Sequence, residues 1–229
     1  CSAERIRDEF LAILGTSKPA AGLAALQQLG LLGQIVPEAA ALAGVTQPAP
    51  HQYDVWRHTL AVVDRLAAIV RLLSEPSTAE AANAKIGLIA FALARYRQPL
   101  AEHIAGQWAA QRAHRALLML AGLLHDIGKP EAMSSRAGRD PDSPAFPQHE
   151  QIGATIAERR AAALRLSNEE TARLTAIVRH HMRPLWLYGS GSASKRAVYR
   201  FWRDTGRAGI DVCLLALADY LATYGLALD

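Results

Sequence analysis

The stretch LLMLAGLLHDIGKP, Leu117–Pro130, decides the fold of this chain. Its leucines and alanines recur at helical spacing, so one face of the segment is expected to be buried. His125 and Asp126 follow at the carboxyl end of this apolar helix, where Gly128 and Pro130 are expected to terminate it. A carboxylate in so apolar a setting needs a partner. The function therefore depends on which partners the rest of the chain supplies.

The rest of the chain carries almost no strand signal, because Ala, Leu and Arg dominate and no run of alternating β-branched residues occurs. Ser167 and Glu170 form a capping box that marks the start of one helix. The pattern predicts an all-α fold with helices at Ala3–Leu14, Ala20–Leu29, Tyr53–Leu73, Ala79–Tyr96, Ala101–His114, Gln148–Leu166, Asn168–His181, Ser194–Thr205 and Ile210–Ala222.

Two segments are expected to lack helix. Gln47–Pro50 is a proline-rich connector, and it divides the chain into a short helical neck, 1–50, and a main body, 51–229. Pro130–Pro147 is rich in Ser, Pro, Gly and Asp and is predicted to be a loop at the entrance of any site beside His125. The chain begins with Cys1 rather than Met, which suggests a fragment of a longer protein.

Composition excludes several classes. Apolar residues make up 51% of the 229-residue chain and charged residues 20%, as in a globular protein with a substantial core. No apolar run reaches the roughly 18 residues needed to span a bilayer, and no signal peptide opens the chain. Its two cysteines, Cys1 and Cys213, indicate neither a disulfide framework nor a cysteine zinc site. We therefore expect a cytoplasmic protein without membrane contact.

The net charge of +4 has a local origin. Between Arg159 and Arg207 there are eleven Lys or Arg residues and three acidic ones, interleaved with aromatic side chains. Such a stretch suits a nucleotide or RNA partner. A solvated arginine-rich surface is the alternative.

The eight histidines divide by context. His51, His103 and His114 lie near predicted helix ends or on polar faces, and we interpret them as ordinary surface residues. His58 and His181 instead continue the apolar stripes of their helices, and His149 begins a helix after Pro147, where its ring can point into a cleft.

One further histidine and a second aspartate complete the candidates. His180 lies about 100° around its helix from the apolar stripe, so it is the weaker inward candidate. Asp219 shares a face with apolar residues in LLALADYLA. Taken singly, each inward residue is more often a hydrogen-bonded core residue than a ligand. Together, these imidazoles and carboxylates predict one or two divalent metal ions, with Mn, Fe, Co, Ni or Mg favoured over Zn.

The chain resembles the HD-domain metal-dependent phosphohydrolases, whose pattern is a His, then a His-Asp pair, then a distal Asp. The resemblance is closer still to the HD region of bacterial tRNA nucleotidyltransferases and poly(A) polymerases, and it covers most of the chain in order. The matching pieces are ERIRDEFLAIL (Glu4–Leu14), LGLLGQIVPE (Leu29–Glu38), YDVWRHTL (Tyr53–Leu60), LLHDIGKP (Leu123–Pro130), FPQHEQIGA (Phe146–Ala154), LRLSNEE (Leu164–Glu170) and VRHHMRP (Val178–Pro184).

This resemblance implies a multi-helix HD bundle and hydrolysis of a phosphoester on a nucleotide or an RNA end. Asp126 would bridge two metals, and a water activated by them would attack phosphorus. The implied ligands are His58, His125 and Asp219 on one metal, and His149 with His180, His181 or both on the other. Lys129, Arg179 and Arg183 are candidate phosphate-binding residues. The alternatives for them are a helix-terminal cation for Lys129 and solvated surface for the two arginines.

Two departures from the family limit the function. Its nucleotidyltransferase head carries a Gly-Ser followed by paired aspartates that hold Mg²⁺. YGSGSASK, Tyr188–Lys195, is followed by no such pair, and RDPD, Arg139–Asp142, lacks that context. Nucleotide addition therefore does not reside in these residues. The rival functions are a non-catalytic RNA-binding domain that supports a polymerase head, and a regulatory module that binds a nucleotide without turnover.

Overall fold

The computed structural model describes residues 2–74, 84–108, 111–134, 144–189, 191 and 193–224, and within these ranges the fold is helical without β-strands. A single isolated bridge joins Gln107 and Ala113. The α-helices are α1 Ala3–Leu14, α2 Pro19–Gln28, α3 Leu32–Ile35, α4 Pro37–Ala40, α5 Val55–Ser74, α6 Ala84–Leu93, α7 Arg97–Ile104, α8 His114–Leu124, α9 Lys129–Ser134, α10 His149–Ala163, α11 Asn168–His180, α12 Arg183–Gly189, α13 Lys195–Thr205 and α14 Gly209–Thr223. The predicted all-α bundle is confirmed.

Helix α8 is the centre of the molecule. The sequence predicts one buried face, but every residue from Ala116 to Leu124 is buried, because α1, α5, α11 and α14 pack around it. A helix that is apolar on all sides belongs in a core, since no side of it gains from water. Its carboxyl end, with His125 and Asp126, is therefore held inside the protein.

Side-chain N-caps determine where two of the neighbouring helices, α5 and α11, begin. The Asp54 carboxylate accepts a hydrogen bond from the Arg57 backbone N–H at 2.8 Å and so caps α5. The predicted capping box of α11 is present, with Ser167 and Glu170 bonding each other's backbone. Helices α5, α11 and α14 carry their candidate ligands toward the end of α8.

The predicted helical neck packs on the same core as the main body. Helix α1 contacts α8, α2 contacts α5, and Leu14, Leu23 and Leu32 are fully buried in the shared apolar cluster. The connector at Gln47–Pro50 is free of regular structure, as predicted. The division at residue 50 stays a prediction.

Two predicted elements are wrong, and one helix was missed. The helix Ala101–His114 does not exist as one piece: α7 ends at Ile104, and the chain turns back so that α8 begins at His114. Pro130 does not open a loop, because Lys129–Ser134 is the short helix α9, and proline is well tolerated in a first helical turn. Helix α12 was not predicted. The start of the predicted helix Ala79–Tyr96, the middle of the Pro130–Pro147 loop and the RDPD motif lie outside the described residues.

Candidate metal centre

Asp126 lies at the centre of a cluster of buried histidines. Its side chain is 3% exposed, and its two oxygens face different partners. Oδ2 lies 3.1 Å from His125 Nε2 and 3.7 Å from His58 Nε2. Oδ1 lies 3.4 Å from His149 Nε2 and 3.9 Å from His181 Nε2. One carboxylate thus stands between two pairs of imidazoles.

The backbone fixes which ring nitrogen of three histidines faces Asp126. The Nδ1–H of His125 donates to the Gly122 carbonyl at 2.8 Å, that of His149 to Phe146 at 2.8 Å, and that of His181 to Val178 at 2.7 Å. In the neutral form of each ring, Nε2 therefore carries a lone pair that points into the cluster. This second bond on the opposite nitrogen is typical of metal-binding histidines. Burial lowers the pKa of His125, but the charges of Asp126 and Asp219 outweigh it and raise that pKa above the usual value.

Lone pairs that face one another require a cation between them. His149 Nε2 and His181 Nε2 are 3.4 Å apart, and both are acceptors in this tautomer. His125 Nε2 is buried and has no hydrogen-bond partner among the described residues. Such unpaired buried nitrogens are costly unless an ion satisfies them. The donor set therefore fits divalent metal.

Asp219 completes the half of the cluster that contains His58. Its Oδ1 lies 3.0 Å from His58 Nε2 and accepts a 3.4 Å hydrogen bond from Thr223 Oγ1. Burial opposes ionisation, but the hydrogen bond with His58 and the charge of His125 hold the pKa of Asp219 far below its usual value. The carboxylate form, which is the form that binds a cation, is the one that the site favours.

The charges around Asp126 also favour its carboxylate form. Burial raises the pKa of its carboxyl, but the positive charges of His125 and Lys129 outweigh this and hold the pKa well below the usual value. Burial, together with the charges of His125 and His149, lowers the pKa of His181 to about 3. A neutral imidazole beside an ionised carboxylate is the state that coordinates metal.

The structure separates the doublet His180-His181. His181 is fully buried in the cluster, whereas His180 is half-buried at the end of α11, near Arg179, Arg183 and Asp204. The predicted ligands His58, His125, Asp126, His149, His181 and Asp219 are thus brought together, and His180 is not. Their role as ligands stays a prediction.

The predicted phosphate-binding residues are also divided. Lys129 is buried, and its Nζ donates to Asp126 Oδ2 and to Gln47 Oε1, each at 2.6 Å. It is not a cation at the carboxyl end of a helix, because it begins α9. Arg179 is exposed, and Arg183 pairs with Asp204 at 2.9 Å. Neither arginine lines the cleft described next.

A cleft of about 510 Å³ opens onto Asp126, Lys129, His149 and Asp219. One wall consists of Tyr188, Tyr220 and Tyr224, whose neighbouring rings lie 6.3 and 4.6 Å apart between centroids. Tyr188 is one of the aromatic residues of the basic stretch Arg159–Arg207. Sequence reasoning missed Tyr220 and Tyr224, although they follow Asp219 on one side of a helix at i, i+4 spacing.

Two of the three histidines interpreted as surface residues are built into polar clusters, and the third borders the metal centre. His51 is half-buried in the cleft, with its ring 4.9 Å from that of His58. Burial and the charge of Lys129 lower the pKa of His51 to about 4. His103 and His114 both contact Asp211, a residue the sequence analysis did not single out. The surface interpretation of these histidines is wrong.

In a comparison with known families, the model of the HD domain matches residues 55–224, which include all six of the clustered residues. The chain belongs to the HD domain family. A second model, the probable RNA and SrmB-binding site of polymerase A, matches residues 1–42. His125 and Asp126, which the sequence analysis assigned to the family's His-Asp pair, lie within the matched range.

Curated relatives of this HD domain include nucleotidyltransferases. It is 27% identical to the CC-adding tRNA nucleotidyltransferase of Thermus thermophilus over 97% of the chain and 40% of the relative. It is 28% identical to the A-adding tRNA nucleotidyltransferase of Deinococcus radiodurans, over 86% of the chain and 35% of the relative. The bifunctional uridylyltransferase/uridylyl-removing enzyme of Xanthomonas campestris is 30% identical over 77% of the chain and 16% of the relative. The chain thus spans well under half of each relative. No helix among the described residues is long and apolar enough to cross a membrane.

Proposed function

We propose that this HD domain is a metal-dependent phosphohydrolase that acts on phosphoesters of nucleotides or RNA ends. The observation that carries the proposal is the position of Asp126, whose two oxygens face two separate sets of inward-pointing imidazole nitrogens. This position supports a role for Asp126 as a carboxylate that bridges two cations. The spacing of the two sets suits phosphoryl transfer, in which two ions stabilise the attacking and the leaving oxygen.

Each half of the cluster would hold one ion. His58, His125, Asp219 and Asp126 Oδ2 form the first set, and His149, His181 and Asp126 Oδ1 the second. Mn, Fe, Co, Ni, Mg and Zn are the candidate metals. When bound, the ions supply Lewis acidity toward phosphoryl oxygens and lower the pKa of water. The protein contributes ligands that are held in place, their buried surroundings and a cleft that opens onto them.

Lys129 positions Asp126 in this proposal. Its ammonium donates to Asp126 Oδ2, so it orients the carboxylate and competes with the first ion for that oxygen. Because Lys129 also lines the cleft, the same ammonium is available as a point charge to a phosphate that enters.

The tyrosine wall supplies the second part of substrate binding. Tyr188 is 75% exposed and borders the cleft next to Tyr220. Bases stack on such rings with little sequence preference. A ligand with its phosphate at the metal ligands and its base on the tyrosines would be a nucleotide or an RNA 3′ end. Arg179 and Arg183 lie outside the cleft, and a role for them would require a longer RNA chain.

The test uses the purified full chain, stripped with a chelator and reloaded with Mn²⁺ or Co²⁺. The substrates are p-nitrophenyl phosphate, bis-p-nitrophenyl phosphate, cyclic nucleotides and RNA with a 3′-phosphate. We expect hydrolysis of at least one substrate, its loss on chelation, and loss of both metal and activity in Asp126→Ala. Hydrolysis preserved in that variant would remove the proposed site.

A second candidate function is RNA binding without turnover. A surface on α12 and α13 exposes Trp186, Tyr188, Tyr199 and Trp202 to 45–75%, next to the exposed cations Lys195, Arg196 and Arg200. This is the part of Arg159–Arg207 that suits RNA, since Arg160, Arg173 and Arg183 are engaged in ion pairs. The match of residues 1–42 to an RNA-binding model and the names of the tRNA-processing relatives support the same partner.

Titration with a labelled tRNA separates the two candidates. If the domain acts through binding, Arg196→Ala and Arg200→Ala weaken tRNA binding and reduce its salt dependence by about one ion each. Arg57→Ala, an exposed arginine on α5, is the matched control. Metal bound without turnover on any phosphoester would favour this second function.

A further inference from the structure

A second cleft, of about 650 Å³, lies elsewhere on the domain and shares no lining residue with the first. It is bordered by α7, residues 106–108, the start of α8 at His114, α11 and the turn before α14. Its wall includes His103, Trp108, His114 and Arg173. Nothing in the proposed hydrolysis uses these residues.

Two histidines meet one carboxylate oxygen beside this cleft. His103 Nε2 and His114 Nε2 each lie 2.8 Å from Asp211 Oδ1. Asp211 is fully buried, His114 is 5% exposed, and the His103 side chain is 14% exposed toward the cleft. The three ligand atoms lie within 4.8 Å of one another.

The spacing of these atoms resembles that of the HD centre. In the HD centre, His58 Nε2 lies 3.0 Å from Asp219 Oδ1, and His125 Nε2 lies 3.1 Å from Asp126 Oδ2. Ligands bonded at about 2.0–2.2 Å to one ion stand about 3.0 Å apart at right angles and about 3.4 Å apart in the tetrahedral geometry of Zn²⁺. Both distances exceed the observed 2.8 Å, so a small outward shift of the two rings would admit an ion.

The other oxygen of Asp211 lies at ion-pair distance from an arginine but makes no hydrogen bond among the described residues. Arg173 Nε lies 3.0 Å from Asp211 Oδ2, and the Arg173 guanidinium lies 5.7 Å from the Trp108 ring centroid. Trp108 stacks on His114 with centroids 5.2 Å apart. Trp108 therefore orients one imidazole, and the buried Asp211 Oδ2, which has no hydrogen bond among the described residues, is an oxygen that a cation would stabilise.

Charge and access also fit a cation. Glu102 and Glu169 line the cleft together with Arg173 and Arg207, so the carboxylates, with Asp211, outnumber the guanidinium groups. The opening beside His103 lets water complete the coordination of an ion that three protein atoms hold. Two imidazoles and one carboxylate select first-row divalent ions over Ca²⁺.

We propose that His103, His114 and Asp211 form a second binding site for a first-row divalent cation such as Zn²⁺, independent of the HD centre. His103 lies in the last turn of α7, His114 begins α8, and Asp211 lies in the first turn of α14. A bound ion ties these three helices together. It requires each imidazole to carry its proton on Nδ1, so that Nε2 offers a lone pair.

Anomalous scattering locates the ions directly. Crystals of the full chain, soaked in Zn²⁺ or Co²⁺, are measured above and below the absorption edge. We expect a peak about 2.0–2.2 Å from His103 Nε2, His114 Nε2 and Asp211 Oδ1, in addition to any peak at Asp126. A peak at Asp126 with none at Asp211 overturns the proposal and identifies the three residues as a hydrogen-bonded network.

A solution experiment separates this site from the HD centre. The background is His58→Gln/His181→Gln, which removes one imidazole from each half of the HD centre and leaves the Asp126–Lys129 pair intact. We expect this protein to bind one Zn²⁺ per chain in equilibrium dialysis and to melt at a higher temperature with Zn²⁺. Adding Asp211→Asn should remove the ion and the shift in melting temperature.

Two further variants test the same site and provide a control. His103→Gln changes the most exposed of the three residues, so it tests the site even if Asp211→Asn does not fold. It should weaken Zn²⁺ binding more than about 10-fold, since a change in an outer partner alone costs that much. Glu102→Gln removes a charge in the same cleft but no ligand, so it should weaken Zn²⁺ binding far less than His103→Gln. Equal Zn²⁺ binding by His103→Gln and Glu102→Gln would contradict the proposal.

Discussion

His149 Nε2 and His181 Nε2 face each other across 3.4 Å, while the Nδ1–H of each ring is committed to a backbone carbonyl. Two lone pairs at this distance repel unless a cation lies between them. The relationship also distinguishes the two residues of the doublet, because His180 contacts neither Asp126 nor His149. It supplies the first prediction.

His181→Gln should remove one of the two bound ions and lower hydrolysis. The loss should exceed about 10- to 100-fold, the range found when only an outer-shell partner of a metal ligand is changed. His180→Gln is the matched control and should keep both ions and most activity. Elemental analysis and phosphatase kinetics on the two variants provide the measurement. Equal losses in both would contradict the assignment of His181.

Replacing Lys129 by Met should separate metal binding from turnover. The ammonium lies 2.6 Å from Asp126 Oδ2 and competes with an ion for it. Removing this charge should tighten metal binding, and it should lower turnover because a cation beside the phosphate is lost. Calorimetric titration with Mn²⁺ and steady-state kinetics test the two effects. Weaker metal binding in Lys129→Met would show that Lys129 chiefly preforms the site.

Gly128→Ala should disturb the candidate metal centre, because the added Cβ would collide with the backbone of α10. A Cβ at Gly128 would stand 2.3 Å from the carbonyl oxygen of His149 and 2.6 Å from the N of Gly153. The chain must then move α10 away from Asp126, and His149 with it. We expect a lower melting temperature and loss of one ion. Gly33→Ala, where an added Cβ meets nothing within 4 Å, should leave both unchanged.

Tyr188→Ala should raise KM for nucleotide substrates and leave turnover of p-nitrophenyl phosphate unchanged. The expected loss is about 1–3 kcal/mol of binding free energy, the value of one base stacked on an aromatic ring. Tyr199→Ala removes an exposed tyrosine that does not line the cleft, so it should not affect mononucleotides. An unchanged KM in Tyr188→Ala would exclude base stacking on this wall.

Glu170 should contribute strongly to stability. Its side chain is 1% exposed and pairs with Arg112 at 2.5 Å, in addition to capping α11. Glu170→Ala should lower the free energy of unfolding by about 3–5 kcal/mol, because it leaves a partly buried guanidinium unpaired. Glu169→Ala, its exposed neighbour, should cost less than about 1 kcal/mol. Urea unfolding of both variants measures the difference.

The same residue makes stability depend on pH. Burial opposes ionisation, but hydrogen bonds from Arg112 and Ser167 outweigh it and lower the pKa of Glu170 below its usual 4.5. Its contribution is therefore complete above that pH and is lost as the pH falls through the lowered value. Glu170→Gln should lose less stability than the wild type over this acidic range. Parallel curves would contradict the assignment.

Local patterns predicted the elements whose signals are contained in one segment. Helix α1 has the predicted bounds, and the capping box at Ser167 marks the start of α11. The inward positions of His58, His181 and Asp219 follow from apolar stripes on single helices. Periodicity was sufficient there because burial of one helical face determines where each residue points.

Prediction failed where residues meet across a turn in the chain. His103 and His114 were assigned to one helix, on which they would lie far apart. The chain instead reverses between them, with Gln111 at φ 60° and a bridge from Gln107 to Ala113, and their ring centroids lie 4.6 Å apart. Gly128 was expected to end a helix, but its lack of a Cβ serves the close approach of α10. Neither contact leaves a periodic signal.

Gln47 stands in the connector between the first four helices and the HD domain, and its amide oxygen accepts a hydrogen bond from Lys129 at 2.6 Å. That ammonium holds Asp126 in turn. A displacement of Gln47 would therefore act on Asp126 through two hydrogen bonds, the one from Lys129 to Gln47 and the one from Lys129 to Asp126. The Lys129 amine thus adds a polar link between the connector, which follows the segment that matches an RNA-binding model, and the carboxylate at the centre of the HD domain.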